Sequence, residues 1–561
     1  MINIDETKHR LLLTEWQLNA GIVGMLNILG KKDNELPKIN EFNFQSGYLD
    51  DFAEKYFSYF IETYKKTLSW YKIVQFKEKI ARFEESDFAY LDEKQYEQIN
   101  LYIRDVAKKY INSASYKAAY PLIKANLDIR EKGSNLKQLP KLTKKLSFDK
   151  NREEIIVLVK EKFEEIKEII AYFDTPEAKK YIGAKNVLYT LIRKGWDGVS
   201  ALNPQTKEKD PYLDFHQYFV QPCLDYLEAD KTKYKFSCCT CEQPIKNLDE
   251  TFSFLVETGY DTKRKGSHGW NFVNDMGLCP ICKLIYACIP AGFTYVINQG
   301  IFINASQNLS ELVRVNQKVK MDILKRNSSE QGVREVNTYV GMIEAILEQE
   351  NKSHTYELSD IQVVRYEEDR YYFTLLSKRV LKILNQSKVF LEPLIKANFP
   401  EGNLYQSAVQ KIMNSENLFS LIHKLLIYKV TNVKNLYYGI YHVDYLLNIN
   451  QKFLGGIQKM NELSQEELKK VRASGWYLGK EYDNKNKVKS IAQRLLNTLK
   501  SNNRDGFMDI ILNCYAYVGK TVPNWGIQIF QDDETFKTIG YSFVSGLIGD
   551  KDKDKENGDG K

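Results

Sequence analysis

The stretch FSCCTCEQ at 236–243 and the stretch CPICKLIYACIPAGF at 279–293 decide how the middle of this chain is built. Each holds a Cys-x-x-Cys pair, Cys238 with Cys241 and Cys279 with Cys282, and 37 residues separate the pairs. Such a turn presents two thiolates to one ion. Zinc takes four soft or borderline ligands in a tetrahedron, so two turns complete a site. With all four positions filled by protein the zinc is structural, and its binding energy becomes folding energy. One pair alone would suit thiol redox chemistry, but no βαβ pattern surrounds either pair. Cys239 is an alternative thiol for the first turn. His268, in the polar loop between the pairs, is either a further ligand or a solvent-facing loop histidine. Cys223, Cys288 and Cys514 read as buried core residues.

Outward from the cysteines, 201–400 mixes periods, with the metal site at about 234–290. Thr251–Val256 and Phe293–Ile297 read as short strands, 307–325 and 335–349 as helices. Ile361–Tyr366 and Tyr371–Leu375 form a hairpin across the EEDR turn. Residues 1–200 are mostly helical. Thr14–Leu29 opens them, and Phe42–Phe44 is an extended piece. Helical periods cover Tyr48–Phe83, Glu93–Tyr120 (broken at Pro121), Arg152–Phe173 and Pro176–Lys194, with Thr175 as N-cap. The segment 131–151, with Gly133 and Pro140, reads as an exposed basic linker. From 404 to 548 the pattern is an antiparallel helical bundle, with breaks expected at Gly455-Gly456, Gly479 and Asn502-Asn503. Residues 549–561 contain almost nothing to bury and read as a disordered tail. The fold class is α+β, predominantly helical: a mixed N-terminal and middle region with a zinc-knuckle insertion, then a C-terminal helical bundle.

At 561 residues the chain is too long for one core, and two to four domains are expected. No apolar run is long enough to cross a bilayer, and the N-terminus lacks the order of a secretory signal, so a cytoplasmic protein is expected. The net charge of +7 matters less than its placement. Residues 101–150 carry 12 Lys/Arg against 4 Asp/Glu, and 413–548 carry 17 against 12. Such segments neutralise phosphates or form an ordinary solvated helix face. Within the basic linker, Lys137, Lys141, Lys144 and Lys145 are candidate nucleic-acid contacts. So are Lys263, Arg264 and Lys265, beside Trp270, although a bare loop tip has the same composition. The search for catalytic chemistry is negative. There is no His-Glu-x-x-His helix, no Gly-x-Gly-x-x-Gly fingerprint and no His-Asp dipeptide. Gly519-Lys520-Thr521 lacks the first glycine of a phosphate loop, because Cys514 stands there. No catalytic residue is assigned, and the chain is not expected to be an enzyme.

The paired cysteines resemble those of the CXXC–CXXC family of CRISPR-associated large subunits of type I-B interference (Cascade) complexes. Asn19-Ala20-Gly21-Ile22, FHQYFVQPCL at 215–224, CPICKLIYACIPAGF at 279–293 and YSFVSGLIG at 541–549 also look similar to the family. The resemblance implies a subunit whose 1–200 region engages DNA and the guide handle. Its partners would be the CRISPR guide RNA, target double-stranded DNA, the backbone and small subunits, and a separate helicase–nuclease. Base pairing would read sequence while protein reads a short flanking motif. It also implies a 404–548 bundle resembling a small subunit, which an internal start at Met413 would release as a 149-residue product. The competing classes are a stand-alone zinc-stabilised nuclease, a thiol redox enzyme and a zinc-ribbon scaffold that binds only protein.

Overall fold

The computed structural model describes residues 9–125, 127–143, 146–257, 276–305, 308–327, 336–352, 361–458 and 463–549. The chain divides into two compact units, 1–333 with 364–372, and 334–363 with 373–561. The architecture is α+β and predominantly helical, as expected. Among the described residues, no helix is long and apolar enough to cross a membrane.

The first unit holds two hydrophobic cores. One belongs to the helices between Ser69 and Ile182, where the long Phe148–Phe173 helix buries Ile155, Val159, Phe163 and Ile166 at helical spacing. Trp70 closes that core by donating its indole N–H to the Phe173 carbonyl at 2.7 Å. The other core surrounds the helix Pro280–Ala287 and its continuation Ile289–Gly292. Against these the helix Trp16–Ile28 comes to backbone contact. A Cβ on Gly21 would lie 2.5 Å from the Ile285 carbonyl oxygen, and one on Gly24 would lie 1.9 Å from that of Cys288. Gly292 returns the fit, since its Cβ would lie 2.1 Å from the Ala20 oxygen. Only glycine permits that approach.

Short helices leave their last carbonyls unpaired, and here side chains satisfy them. Tyr56 and Trp196 both donate to the Ala287 oxygen, at 2.9 and 3.1 Å. Asn27 and Tyr59 donate to that of Ala291, and Tyr64 to that of Phe293.

The strands are few. β1 (His9–Leu12) pairs antiparallel with β2 (Glu41–Phe44), His9 facing Phe44. β3 (Phe236–Ser237) pairs with β4 (Pro244–Ile245) around the first cysteine pair. A four-stranded sheet runs in the order β5 (Thr294–Val296), β6 (Gln299–Asn304), β7 (Ile361–Glu367) and β8 (Arg370–Leu376). The expected hairpin is β7–β8; Glu368 and Asp369 make its two-residue turn, both at positive φ.

The second unit is mainly helical. Its Gln465–Lys480 and Asp533–Ile548 helices pack backbone to backbone. A Cβ on Gly475 would lie 2.1 Å from the Phe543 oxygen, and one on Gly546 would lie 1.9 Å from that of Arg472.

Four local expectations are corrected. Gly479 and Gly455-Gly456 lie inside helices, because in this unit glycine serves close packing instead of termination. Asn502, at φ 53°, does end a helix, and Asn503 caps the next. Thr251–Val256 is not a strand: Thr251 accepts from the Ser253 N–H and starts a 3-10 turn at Phe252–Phe254. The basic linker begins as a helix, Ile129–Asn135, capped by Asp128 and seating Gly133 on Ile111. Of the expected tail, residues 550–561 lie outside the described residues.

Candidate metal centre

Three chain segments build the site. The first is the knuckle between β3 and β4. There the Cys238 N–H donates to the Gln243 oxygen at 2.9 Å and the Glu242 N–H to that of Cys238 at 2.8 Å. Glu242, at φ 59°, turns the chain back so that Cys238 and Cys241 share one side. The second segment is the N-terminus of the Pro280–Ala287 helix. Cys279 is its N-cap, accepting from the Cys282 N–H at 3.3 Å, and Pro280 occupies the first turn, where no N–H is needed. A thiolate there is favoured by the helix dipole. The third segment is β1, which brings in His9.

His9, Cys241, Cys279 and Cys282 place one ligand atom each within 4.8 Å of the others. Cys238 is buried and interacts with the thiols of Cys241, Cys279 and Cys282, although it falls outside that 4.8 Å group. Three of the four sequence-predicted cysteines therefore cluster with a histidine, and Cys238 lies beside them. The Cys241 and Cys279 sulfurs are 3.6 Å apart. That is too long for a disulfide of about 2.05 Å. It is close to the edge of about 3.8 Å for a tetrahedron with Zn–S near 2.3 Å. His9 Nε2 lies 3.7 Å from the Cys279 sulfur and 3.9 Å from that of Cys282.

The electrostatics fit a cation. Burial pushes the Cys279 and Cys282 thiols well above their ordinary value. Hydrogen bonds from Cys238, Cys279 and Cys282 hold Cys241 far below it. Four thiolates crowded in a buried site repel one another, and a divalent ion is what lets all of them ionise. The donor set can hold a metal ion, and three sulfurs with an imidazole, or with Cys238 as the fourth sulfur, suit zinc or another thiophilic metal. Such an ion supplies a structural crosslink among the three segments.

The surroundings are ordered too. The Tyr286 hydroxyl donates to the Glu15 carboxylate at 3.2 Å, and Thr240 Oγ1 lies 3.3 Å from it, tying the knuckle to the Trp16–Ile28 helix. Burial raises the Glu15 carboxyl. The buried Lys283 amine pairs with Glu250 at 2.6 Å and stands 4.0 Å over the Tyr218 ring. Cys239 is exposed and outside the cluster, whereas Cys223, Cys288 and Cys514 are buried. His9 was missed in the sequence because nothing local marks a lone strand histidine as the neighbour of residues 270 positions away.

Of the candidate nucleic-acid contacts, Lys137 and Lys141 are exposed along an extended segment. That segment is held down by buried Leu136 and Leu139. Asn100 accepts from the Leu139 N–H at 2.8 Å, and Tyr96 donates to the Pro140 oxygen at 2.8 Å. Lys144, Lys145, Lys263, Arg264 and Lys265 lie outside the described residues, as do His268 and Trp270.

No curated protein and no solved structure matches the chain. Residues 230–294 match the family model described as CRISPR-associated protein (Cas_CXXC_CXXC). That segment contains all four cysteines of the metal centre, so over these residues the chain is similar to the CRISPR-associated CXXC–CXXC family.

Proposed function

We propose that this protein is the large subunit of an RNA-guided type I-B surveillance complex and works by binding, without catalysis of its own. In this reading it holds the 5′ end of the guide, inspects the duplex flanking the target, helps to open it, and offers a docking place for a separate helicase–nuclease. The observation that carries the reading is the family match over a segment whose cysteines converge on one metal-competent cluster. Zinc is the proposed metal, held by Cys238, Cys241, Cys279 and Cys282. Its proposed role is structural, fixing the middle of the chain to β1. The 404–548 bundle is the proposed small-subunit-like part, and its excess of cations suits a displaced strand. Lys137 and Lys141 support DNA engagement, because a lysine on a pinned segment loses less freedom on meeting a phosphate than one on a loose loop.

The test is a gel shift with guide-loaded complex on duplexes that carry or lack a flanking motif. Replacing Lys137, Lys141, Lys144 and Lys145 together by Ala should weaken binding. It should also flatten the salt dependence by close to one unit of slope for each phosphate no longer neutralised. Unchanged affinity and slope would remove these lysines from the interface. A purified chain that cleaves nucleic acid with magnesium would replace the reading with the nuclease alternative.

A further inference from the structure

A cavity of about 900 Å³ opens in the first unit, away from the cysteines. Its walls come from the turn and helix at 64–72, the end of the Pro176–Thr190 helix with the turn after it, the β5–β6 turn, and the β7–β8 turn. Four cations line it: Lys66 and Lys72 from one side of the sequence, Arg193 and Lys194 from another. Two of the three carboxylates among its described residues are already engaged. Asp197 pairs with Arg193 at 2.8 Å, and Asp369 accepts the Tyr366 hydroxyl at 2.9 Å. Lys66 and Lys72 are exposed and make no ion pair among the described residues.

Aromatic rings stand beside these charges. Tyr189 is 51 % exposed at the cavity, and Tyr64 and Tyr295 are buried in its wall. A second cavity of about 380 Å³ shares Tyr64, Lys66, Thr67 and Tyr295 with the first and adds Tyr71, Val296 and Leu324 together with Glu62, Thr63 and Lys65, its surface mostly apolar despite the two added charged side chains.

One further observation indicates a ligand. The Tyr295 hydroxyl is buried and has no hydrogen-bond partner among the described residues. Buried hydroxyls are nearly always satisfied, so an orphan next to a cavity asks for a partner from outside. The β5–β6 turn is a two-residue hairpin that puts Ile297 at φ 53°, an unusual conformation for a β-branched residue. The turn is held in place by the Lys194 amine, which donates to the Ile297 oxygen at 2.7 Å and lies 4.9 Å from the centre of the Tyr295 ring.

We propose that this double cavity takes one nucleotide unit of a single nucleic-acid strand. The phosphates on either side of it meet Lys66 with Lys72 and Arg193 with Lys194, and the base lies in the apolar annex against the tyrosines, within reach of the Tyr295 hydroxyl. Among the described residues the lining contains no glycine and therefore no glycine-rich phosphate nest of the kind that grips a free polyphosphate. Cations on separate chain segments beside stacking rings are instead the pattern of strand binding. The inference deepens the proposed nucleic-acid role but uses none of the residues assigned to duplex contact.

The experiment uses the full-length protein with a fluorescent single-stranded RNA, the corresponding single-stranded DNA, and adenosine and uridine monophosphates as separate probes. Lys66→Ala with Lys72→Ala should weaken strand binding about tenfold and lower the salt slope by about 0.7 for each phosphate no longer neutralised. Tyr295→Phe, which removes only the orphan hydroxyl, should weaken it several-fold while leaving thermal stability unchanged or higher. Strand affinity and slope unchanged in the lysine pair, or strand affinity unchanged in Tyr295→Phe, would overturn the proposal. Mononucleotides binding as tightly as the strand would overturn it too, by making the ligand a free nucleotide. Failure of the Lys137 group in the duplex assay, with strand binding here intact, would sink the duplex contact and leave this site standing.

Discussion

Replacing Gly24 by alanine tests the packing that positions the metal centre, and the sign of the effect is diagnostic. In an exposed helix the change stabilises by about 1 kcal/mol, through helix propensity. At Gly24 the new Cβ would lie 1.9 Å from the Cys288 oxygen and 2.9 Å from the Gly292 nitrogen. A carbon and a carbonyl oxygen rarely approach within about 3.3 Å, so the two helices must part by more than about 1 Å. The opposing atoms are backbone and cannot rotate away, which places the overpacking cost at the upper end of its usual range, about 3 kcal/mol. The net expectation is a loss of about 2 kcal/mol. The displaced helix also carries Cys279 and Cys282 at its other end, so zinc retention should fall with stability. Urea unfolding followed by circular dichroism, with zinc per chain measured after gel filtration, reads both. Gly546→Ala is the control: its Cβ would lie 1.9 Å from the Arg472 oxygen in the other unit, so stability should fall with zinc retained. A Gly24→Ala protein as stable as the parent, with its full zinc, would refute the reasoning.

Zinc with four thiolates carries a net charge of −2, and His9 Nε2, within 3.9 Å of two of the sulfurs, relieves it in the tautomer that carries its proton there, as an N–H donor to them. His9→Ala should then lower metal affinity about 10- to 100-fold while a cobalt-substituted protein keeps a four-sulfur spectrum. Ligand-field bands that move on substitution would instead make His9 a direct ligand. Met413 ends the Leu404–Met413 helix, so a product starting there keeps every helix from Phe419–Val430 onward. A species of 149 residues should copurify with the complex and vanish in Met413→Leu, which preserves the buried side chain; its absence from the parent complex would dismiss the internal start. Burial holds the Lys194 amine at about 8, below its ordinary 10.5, with Asp369 opposing the shift. Between those values the unfolded chain binds the extra proton, so this residue makes stability rise with pH from about 8 towards 10.5. Tyr295, Tyr366, Arg193 and Glu257 also face the cavity, so the comparison is the parent against Lys194→Met, whose slope should be smaller. Equal slopes would contradict the assignment.

What the sequence made legible follows the range over which each signal acts. Cysteine pairs, the Thr175 cap, the Asn502-Asn503 break and the β7–β8 turn are local chemistry, and each is where the spacing placed it. Glycine was ambiguous, because the same absence of Cβ that ends a helix also admits another backbone. Gly475 and Gly479 do the second, and only the position of the Asp533–Ile548 helix reveals it. His9 and the nucleotide cavity were illegible for a stronger reason. Lys66, Lys194, Tyr295 and Tyr366 share no window of sequence, and tertiary structure alone gathers them.

The short stretches that looked like the family without an evident motif acquire a physical meaning from the same packing. Asn19-Ala20-Gly21-Ile22 and the Cys279–Phe293 stretch are two sides of one contact, Gly21 against Ile285 and Gly292 against Ala20. FHQYFVQPCL supplies Phe215, stacked 4.3 Å from Tyr56, whose hydroxyl caps the cysteine-bearing helix. These pieces surround a single helix whose N-terminus holds two metal donors. His9, within 3.9 Å of the Cys279 and Cys282 sulfurs, ties β1 to that helix across 270 residues, while a metal closes the knuckle. Loop-closure entropy grows only with the logarithm of length, about 0.6 kcal/mol for each doubling, so the long closure costs a few kcal/mol more than the knuckle and not in proportion to its length. A single ion can therefore hold β1, the knuckle and the helix in register, which gives a structural metal reason to sit in the middle of a chain whose proposed work is binding.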